Sequence, residues 1–385
     1  MRRTSGWRQG ALFSYHRNVY LMLLFTLGKG LQLSIATLTT NLYLYSLGYR
    51  QEFIGLITAI PAIGAFLAAV PIGLIADRWG RKPLLIWSGL LNPLALVGIA
   101  LSSNAPLLIA ASLANGLLSG GYWVTNLPLL TESTSDDQRV GVLALNSFLL
   151  LGVGAVGSLI GGLVPELVAH LLHISASSVV PLRFGVLASA IVVFLPAIPL
   201  FWLADSADAN ATRAPAPAMA PAAVPAAVLP ASEALVVGQA TAEQSEHAAP
   251  NDPTDPVGRR ATAVLFLKLL LPDVLFTTGT GAVVGLLQLY LKLRFHLDPG
   301  PLGVLLTIAG LTGGATSLLA PRLVRRWGSL RTSVLMQYLT VPAVLVTGFA
   351  PGVVVAAGGE FARNVLRGFF DPVYSAFAMQ SVSRR

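Results

Sequence analysis

The chain has 385 residues, of which 54% are hydrophobic and 11% charged, with a net charge of +8 and no cysteine. Soluble domains carry about 25% charged residues, so an ordinary globular domain is excluded and a membrane is indicated. The lack of cysteine removes disulfides, thiolate nucleophiles and cysteine-bound metals from consideration.

Residues 1–17 form a basic segment, beginning MRRTSGWRQG, without the small-residue cleavage site of a signal peptide. The first apolar run is therefore expected to be retained. Runs of about 20 apolar residues are long enough to cross a bilayer, and inside lipid their backbones satisfy themselves as helices. Six such runs fall near 18–47, 51–75, 83–102, 106–131, 139–165 and 180–203. Residues 204–260 are rich in Ala and Pro and hold no Phe, Trp or Tyr, which predicts a disordered linker. Four more runs follow near 262–291, 300–322, 330–349 and 352–378. The expected fold class is all-α, a polytopic membrane bundle with one part at 18–203 and a second at 261–385.

The two parts resemble each other. Trp79-Gly80 maps onto Trp327-Gly328, 248 positions on, and the same offset carries Gly55 onto Gly303. With a one-residue slip, NLYLY at Asn41 maps onto QLYLK at Gln288. Matches at three places in order read as a duplication, and paired helical repeats are a known transporter plan. With the N-terminus inside, the inner segments hold 17 Lys and Arg and the outer loops hold 4, which predicts a cytoplasmic N-terminus and linker.

Between the second and third runs stands Gly73-x-x-x-Asp77-Arg78-x-Gly80-Arg81-Lys82. This segment resembles the signature loop of the major facilitator superfamily, and a degraded second copy follows the eighth run. The resemblance covers nearly the whole chain in topology. It implies that Asp77 acts as a gate latch at the cytoplasmic seam, while Arg78, Arg81 and Lys82 also serve as topology anchors. The glycines are expected to allow close helix approach and a tight turn. Trp79 reads as an interfacial anchor. Two other family patterns are incomplete. The fourth run reads Ser112-x-x-Asn115-Gly116 without the Arg of many proton-coupled members. The fifth reads Gly157-Ser158-x-x-Gly161-Gly162 without the Pro of drug antiporters. Both gaps weaken a proton-driven multidrug reading. The family usually has twelve spans, so the second part is expected to lack its last two helices.

Polar residues inside apolar runs are costly and mark function by default. In the tenth run Glu360, Arg363, Asn364, Arg367, Asp371 and Tyr374 recur every three or four residues, which places them within about 100° of arc. They read either as the lining of a wet cavity or as a structural set of intrahelical ion pairs. The fourth run carries Asn115, Ser119, Tyr122 and Asn126 on one face, the first carries Lys29 and Gln32, and the seventh carries Asp273, Thr277 and Gln288. The resemblance implies that these four runs line the central path. Lys29, Arg363 and Arg367 balance Asp273, Glu360 and Asp371, so solute charge stays open. Asp273 and Glu360 are the candidate proton sites, with a permanent ion pair to Lys29 or Arg363 as the alternative.

These readings predict a secondary active transporter of a small solute by alternating access, in the plasma membrane. A facilitated uniporter and a non-transporting or inactive fragment are the alternatives. No enzymatic activity, cofactor, metal, nucleic acid or obligate protein partner is expected.

Overall fold

The computed structural model describes residues 17–134, 142–143, 145–203, 285–317 and 329–383, with isolated positions between 319 and 327; residues 370–383 are described as helix backbone only. The linker 204–260, and with it most of the predicted seventh span including Asp273 and Thr277, lies outside the described residues.

Among the described residues ten helices follow in chain order: α1 Arg17–Ser46, α2 Gln51–Trp79, α3 Arg81–Leu101, α4 Ala105–Glu132, α5 Val156–Leu172, α6 Val179–Ala197, α7 Leu287–Phe295, α8 Pro299–Ser317, α9 Ser329–Gly348 and α10 Val353–Ser383. A π turn at Phe148–Gly152 and a 3-10 turn at Val153–Ala155 lead into α5. Among the described residues six helical stretches are long and apolar enough to cross a membrane: the first four helices, Leu145–Leu172 and Val179–Trp202. Large apolar side chains face outward along them, including Val70 and Leu74 on α2. That surface suits lipid, not water. Among the described residues the molecule is an all-α membrane helical bundle.

Local chemistry sets the ends. The Asn104 side chain accepts from the Leu107 amide at 3.1 Å and caps α4. Gly80, at φ +85°, separates α2 from α3 in a backbone conformation that side-chain-bearing residues avoid. The signature segment is thus not a loop. Asp77 and Arg78 sit in the last turn of α2, and Gly80 alone breaks the helix. A methyl group at Gly73 would meet nothing within 4 Å, so the expectation of close helix approach fails there. Span five also differs from its expected bounds of 139–165. It runs on to Leu172 and ends at left-handed His173, which brings Glu166 into the helix.

Packing follows small residues. Among α1–α6, α2 packs on α4, α3 on α4 and α6, and α1 on α5 and α6; α10 packs on α8 and α9. The α2–α4 and α1–α5 crossings are so tight that a methyl at Gly116 or Gly157 would collide with the backbone opposite. The first six helices meet the last four chiefly where α5 packs on α8. There Gly152 faces Gly314, Ala155 faces Gly310, and Gly162 faces Pro299 and Gly300. The fifth-span motif therefore serves two neighbours: Gly157 and Gly161 face α1, while Ser158 and Gly162 face α8.

Candidate functional site

Inside the first six helices, polar side chains from α1, α3 and α4 converge on one cation. Lys29 lies about 18 Å along α1 from Arg17 and about 26 Å from Ser46, at mid-depth. It is only 3% exposed. Its Nζ donates to Asn92 Oδ1 at 3.1 Å and to Ser119 Oγ at 3.2 Å. It also lies 5.9 Å from the Tyr122 ring centroid, within cation–π range. Asn92 in turn donates to Asn115 Oδ1 at 2.7 Å and to Ser119 Oγ at 3.0 Å. Asn115 and Ser119 are only half-buried, so the network reaches from the buried ammonium toward accessible surface.

A second layer lies nearer the Gly80 end. Thr26 donates to Asn146 Oδ1 at 2.8 Å, and Asn126 Nδ2 approaches Thr26 Oγ1 at 3.4 Å and Asn146 Oδ1 at 3.3 Å. The Tyr122 hydroxyl reaches Thr26 at 3.4 Å and ties the two layers together. Asn146 stands just before the π turn at Phe148–Gly152, and such turns recur at functional places in helices. Several buried polar atoms keep no partner among the described residues: Gln32 Oε1, Ser112 Oγ, Asn126 Oδ1, Asn146 Nδ2 and Gln288 Oε1. Leaving one such group unpaired costs about 1–3 kcal/mol.

The tenth-span stripe resolves differently. Glu360 and Arg363 form a closed, buried pair, with Nε–Oε2 at 2.8 Å and Nη2–Oε1 at 2.5 Å. Asn364 Nδ2 donates to Glu360 Oε1 at 2.7 Å. At this end of α10 the intrahelical ion pair is therefore the arrangement present. The Glu360–Arg363 pair takes one anion and one cation from the expected three-against-three set, and Lys29 has only neutral partners among the described residues. Arg367 is half-buried, whereas Asp371 and Tyr374 lie on helix whose side chains are outside the description.

The gate segment lines a cavity of about 670 Å³ at the Gly80 end, with Asn18, Trp87 and Phe201. Arg81 forms an ion pair with Glu132 of α4. Asp77 and Arg78 are exposed. Asp77 makes no hydrogen bond or ion pair with the described residues. It belongs to the C-terminal turn of α2 rather than to the N-terminus of α3, so the helix dipole gives it no anchor.

The opposite end is stitched across the bundle. Glu166 of α5 accepts from the Gly300 amide at 3.0 Å and so caps α8. Lys292 donates to Ser177, which reaches Asp298 at 3.3 Å. Asn41 Nδ2 donates to the Gly285 carbonyl at 2.8 Å.

A family model described as Major Facilitator Superfamily matches residues 20–385. The chain belongs to that superfamily. A multidrug resistance efflux pump, PmrA of Streptococcus pneumoniae, is 29% identical over 143 residues, 36% of this chain and 35% of the pump. Solute carrier family 22 member 2 of Oryctolagus cuniculus is 35% identical over 96 residues, 24% of this chain and 17% of that protein. The chain thus matches about a third or less of the length of these curated relatives. The fold match is broader. A D-xylose-proton symporter aligns with TM-score 0.60 at 16% identity over 94% of this chain and 87% of that one. A bacterial Spinster homologue, in an inward-facing and unoccupied conformation, aligns with TM-score 0.63 at 14% identity, over 95% and 78%.

Within this superfamily member, sequence reasoning missed Asn92, Asn146 and Glu166. Asn92 and Asn146 are single polar residues in otherwise apolar runs, so no stripe announced them. A lone buried amide facing a lone Lys was the available signal. Among the described residues no group of three or more His, Asp or Glu gathers as a metal site would require.

Proposed function

We propose that the chain moves a small solute across the membrane by alternating access, the first six helices rocking against the rest around a mid-depth site. The observation that carries this reading is the Lys29–Asn92–Asn115–Ser119 network, a polar centre inside membrane-spanning helices with partnerless polar atoms around it. Polar groups at that depth are costly and persist where they contact a solute. The site then comprises Lys29, Gln32, Asn115, Ser119, Tyr122 and Asn126, with Asp273, Thr277, Gln288, Asn364, Arg367, Asp371 and Tyr374 completing the path. The plasma membrane is the proposed location, with the Gly73–Lys82 segment cytoplasmic. Residues 204–260 are the tether between the two parts. Deleting about half of it leaves insertion intact, because a tether needs only to span its ends.

The test is flux through liposomes carrying the purified chain, with a radiolabelled panel of sugars, amino acids, amines and carboxylates. Chain-dependent flux of at least one solute, reduced at least about tenfold by Asn115→Leu, is expected. Absence of flux for every solute sinks the reading. The closed Glu360–Arg363 pair favours an ion pair over a proton site at Glu360, leaving Asp273 for coupling. Flux through Asp273→Asn that no longer follows an imposed pH gradient supports that assignment. A wild-type rate that ignores the gradient favours uniport.

A further inference from the structure

We infer that the Lys29 site is an anion subsite, and that the solute group it receives is a carboxylate or a comparable monoanion. The inference rests on the transport reading and sharpens it.

The argument is one of charge and donors. An ammonium carries three donors and a full charge. Two donors of Lys29 go to neutral oxygens, Asn92 Oδ1 and Ser119 Oγ, and the remaining neighbour is the Tyr122 ring. No carboxylate lies within ion-pair distance among the described residues. Glu360, which could have supplied the counter-charge, is consumed by Arg363 and Asn364 on its own helix. A buried charge without a counter-charge is unfavourable, and removing the need for it stabilises a fold. An anion at Nζ supplies the counter-charge that the neutral oxygens of Asn92 and Ser119 do not. Asn92 binds Lys29 through its oxygen and binds Asn115 and Ser119 through its nitrogen, so its orientation is fixed. Asn115 and Ser119 lead outward to accessible surface. A carboxylate that displaces Ser119 Oγ at the ammonium leaves that hydroxyl free to donate to its second oxygen.

Two independent readouts test this on the full chain in nanodiscs. The first is unliganded stability. Lys29→Gln keeps a donor for Asn92 and removes the uncompensated charge, so its melting temperature is expected to rise by a few degrees. A fall would mean that Lys29 is a structural keystone already compensated within the protein, and would overturn the inference. Asp273→Asn is measured beside it, because Asp273 is the carboxylate of the seventh span. If that change reproduces the loss of stability expected from breaking an ion pair with Lys29, the assignment also fails.

The second readout uses benzoate, benzyl alcohol and benzylamine, matched in size and differing in charge. Benzoate is expected to raise the melting temperature of the wild-type chain. The rise should vanish in Lys29→Gln and persist in Lys29→Arg. No benzoate rise, a rise that survives Lys29→Gln, or a rise with benzylamine alone overturns the anion assignment. Failure here is separable from failure of transport. Chain-dependent flux of neutral or cationic solutes that Lys29→Gln leaves unchanged keeps the transporter and discards the anion subsite. Absence of flux for every solute through the wild-type chain discards both.

Discussion

The two ends of the bundle are built differently. At the end bearing His173, the first six helices are tied to the last four by Glu166 capping α8, by the Ser177–Lys292–Asp298 cluster and by Asn41 on Gly285. At the Gly80 end, the ties among the described residues stay within the first six helices: Arg81 pairs with Glu132, and Arg17 donates to the Trp202 carbonyl. Asp77 faces outward without a partner among them. Charge is thus plentiful at one end and cross-bundle contact at the other. A run of basic residues serves topology at low structural cost, because exposed charges contribute little binding energy. One half-buried carboxylate on a helix N-terminus contributes more, because both the backbone donors and the dipole favour it.

The largest expected effect comes from the steric joint that both ends share. A side chain at Gly303 has no room, since even a methyl would collide with the Ser158 carbonyl, and Gly162 is confined against Pro299 in the same way. Gly303→Leu should force α5 and α8 apart and cost about 4 kcal/mol or more, the upper range for single changes. Loss of a monodisperse peak on fluorescence-detected size exclusion is the readout. A folded Gly303→Leu chain with wild-type stability would show that the first six and last four helices are held mainly by the polar stitches.

The next effect separates the two ends. Glu166→Gln keeps the shape of the cap and removes its charge. A hydrogen bond to a charged group contributes about 1.5–3 kcal/mol, so opening at the His173 end should become about tenfold more frequent. The chain has no cysteine, so a single reporter gives a clean signal. Gln288→Cys, buried on α7, should react about tenfold faster with an impermeant thiol reagent in the Glu166→Gln background, given that energy. Unchanged reactivity would falsify a role for the Glu166 cap in holding the His173 end closed.

How far the sequence foretold this contrast depends on the signal each part sends. Spans are legible because about 20 continuous apolar residues admit few other readings. The turn at Gly80 is legible because a glycine stands between Trp79 and Arg81, where one apolar run gives way to the next. The polar face of α4 is legible from spacing alone, and Asn115, Ser119, Tyr122 and Asn126 do gather toward α1 in one connected network. Glu166 was not, because ending the fifth span at 165 placed it in a loop, where a carboxylate attracts no notice. Its role depends on α8 arriving beside it, a contact between residues 134 positions apart. The pairing of Glu360 was half legible. Spacing offered Arg363 on the same helix, while charge balance offered Lys29, and only geometry chooses. Proximity along one helix won, since an i to i+3 pair needs no second element to be placed.

The smallest expected effect is at Asp77. It is exposed and bonded to none of the described residues, so Asp77→Asn should change stability by no more than about 0.5 kcal/mol. Reactivity at the Gly80 end should follow. Ser133 lines the cavity there beside Asp77 and Glu132, and a Ser133→Cys reporter should react within about twofold of its control when Asp77→Asn is added, as that energy allows. Arg81→Gln should do little more, because its ion pair with half-exposed Glu132 contributes about 0–1 kcal/mol. Set beside the tenfold change expected from Glu166→Gln, these values rank the two ends by one method. A tenfold change from Asp77→Asn would reverse the ranking. It would mean that the Gly80 end is latched for part of the cycle through a partner that Asp77 meets only then, and that the contrast between the ends belongs to a state of the protein and not to its construction.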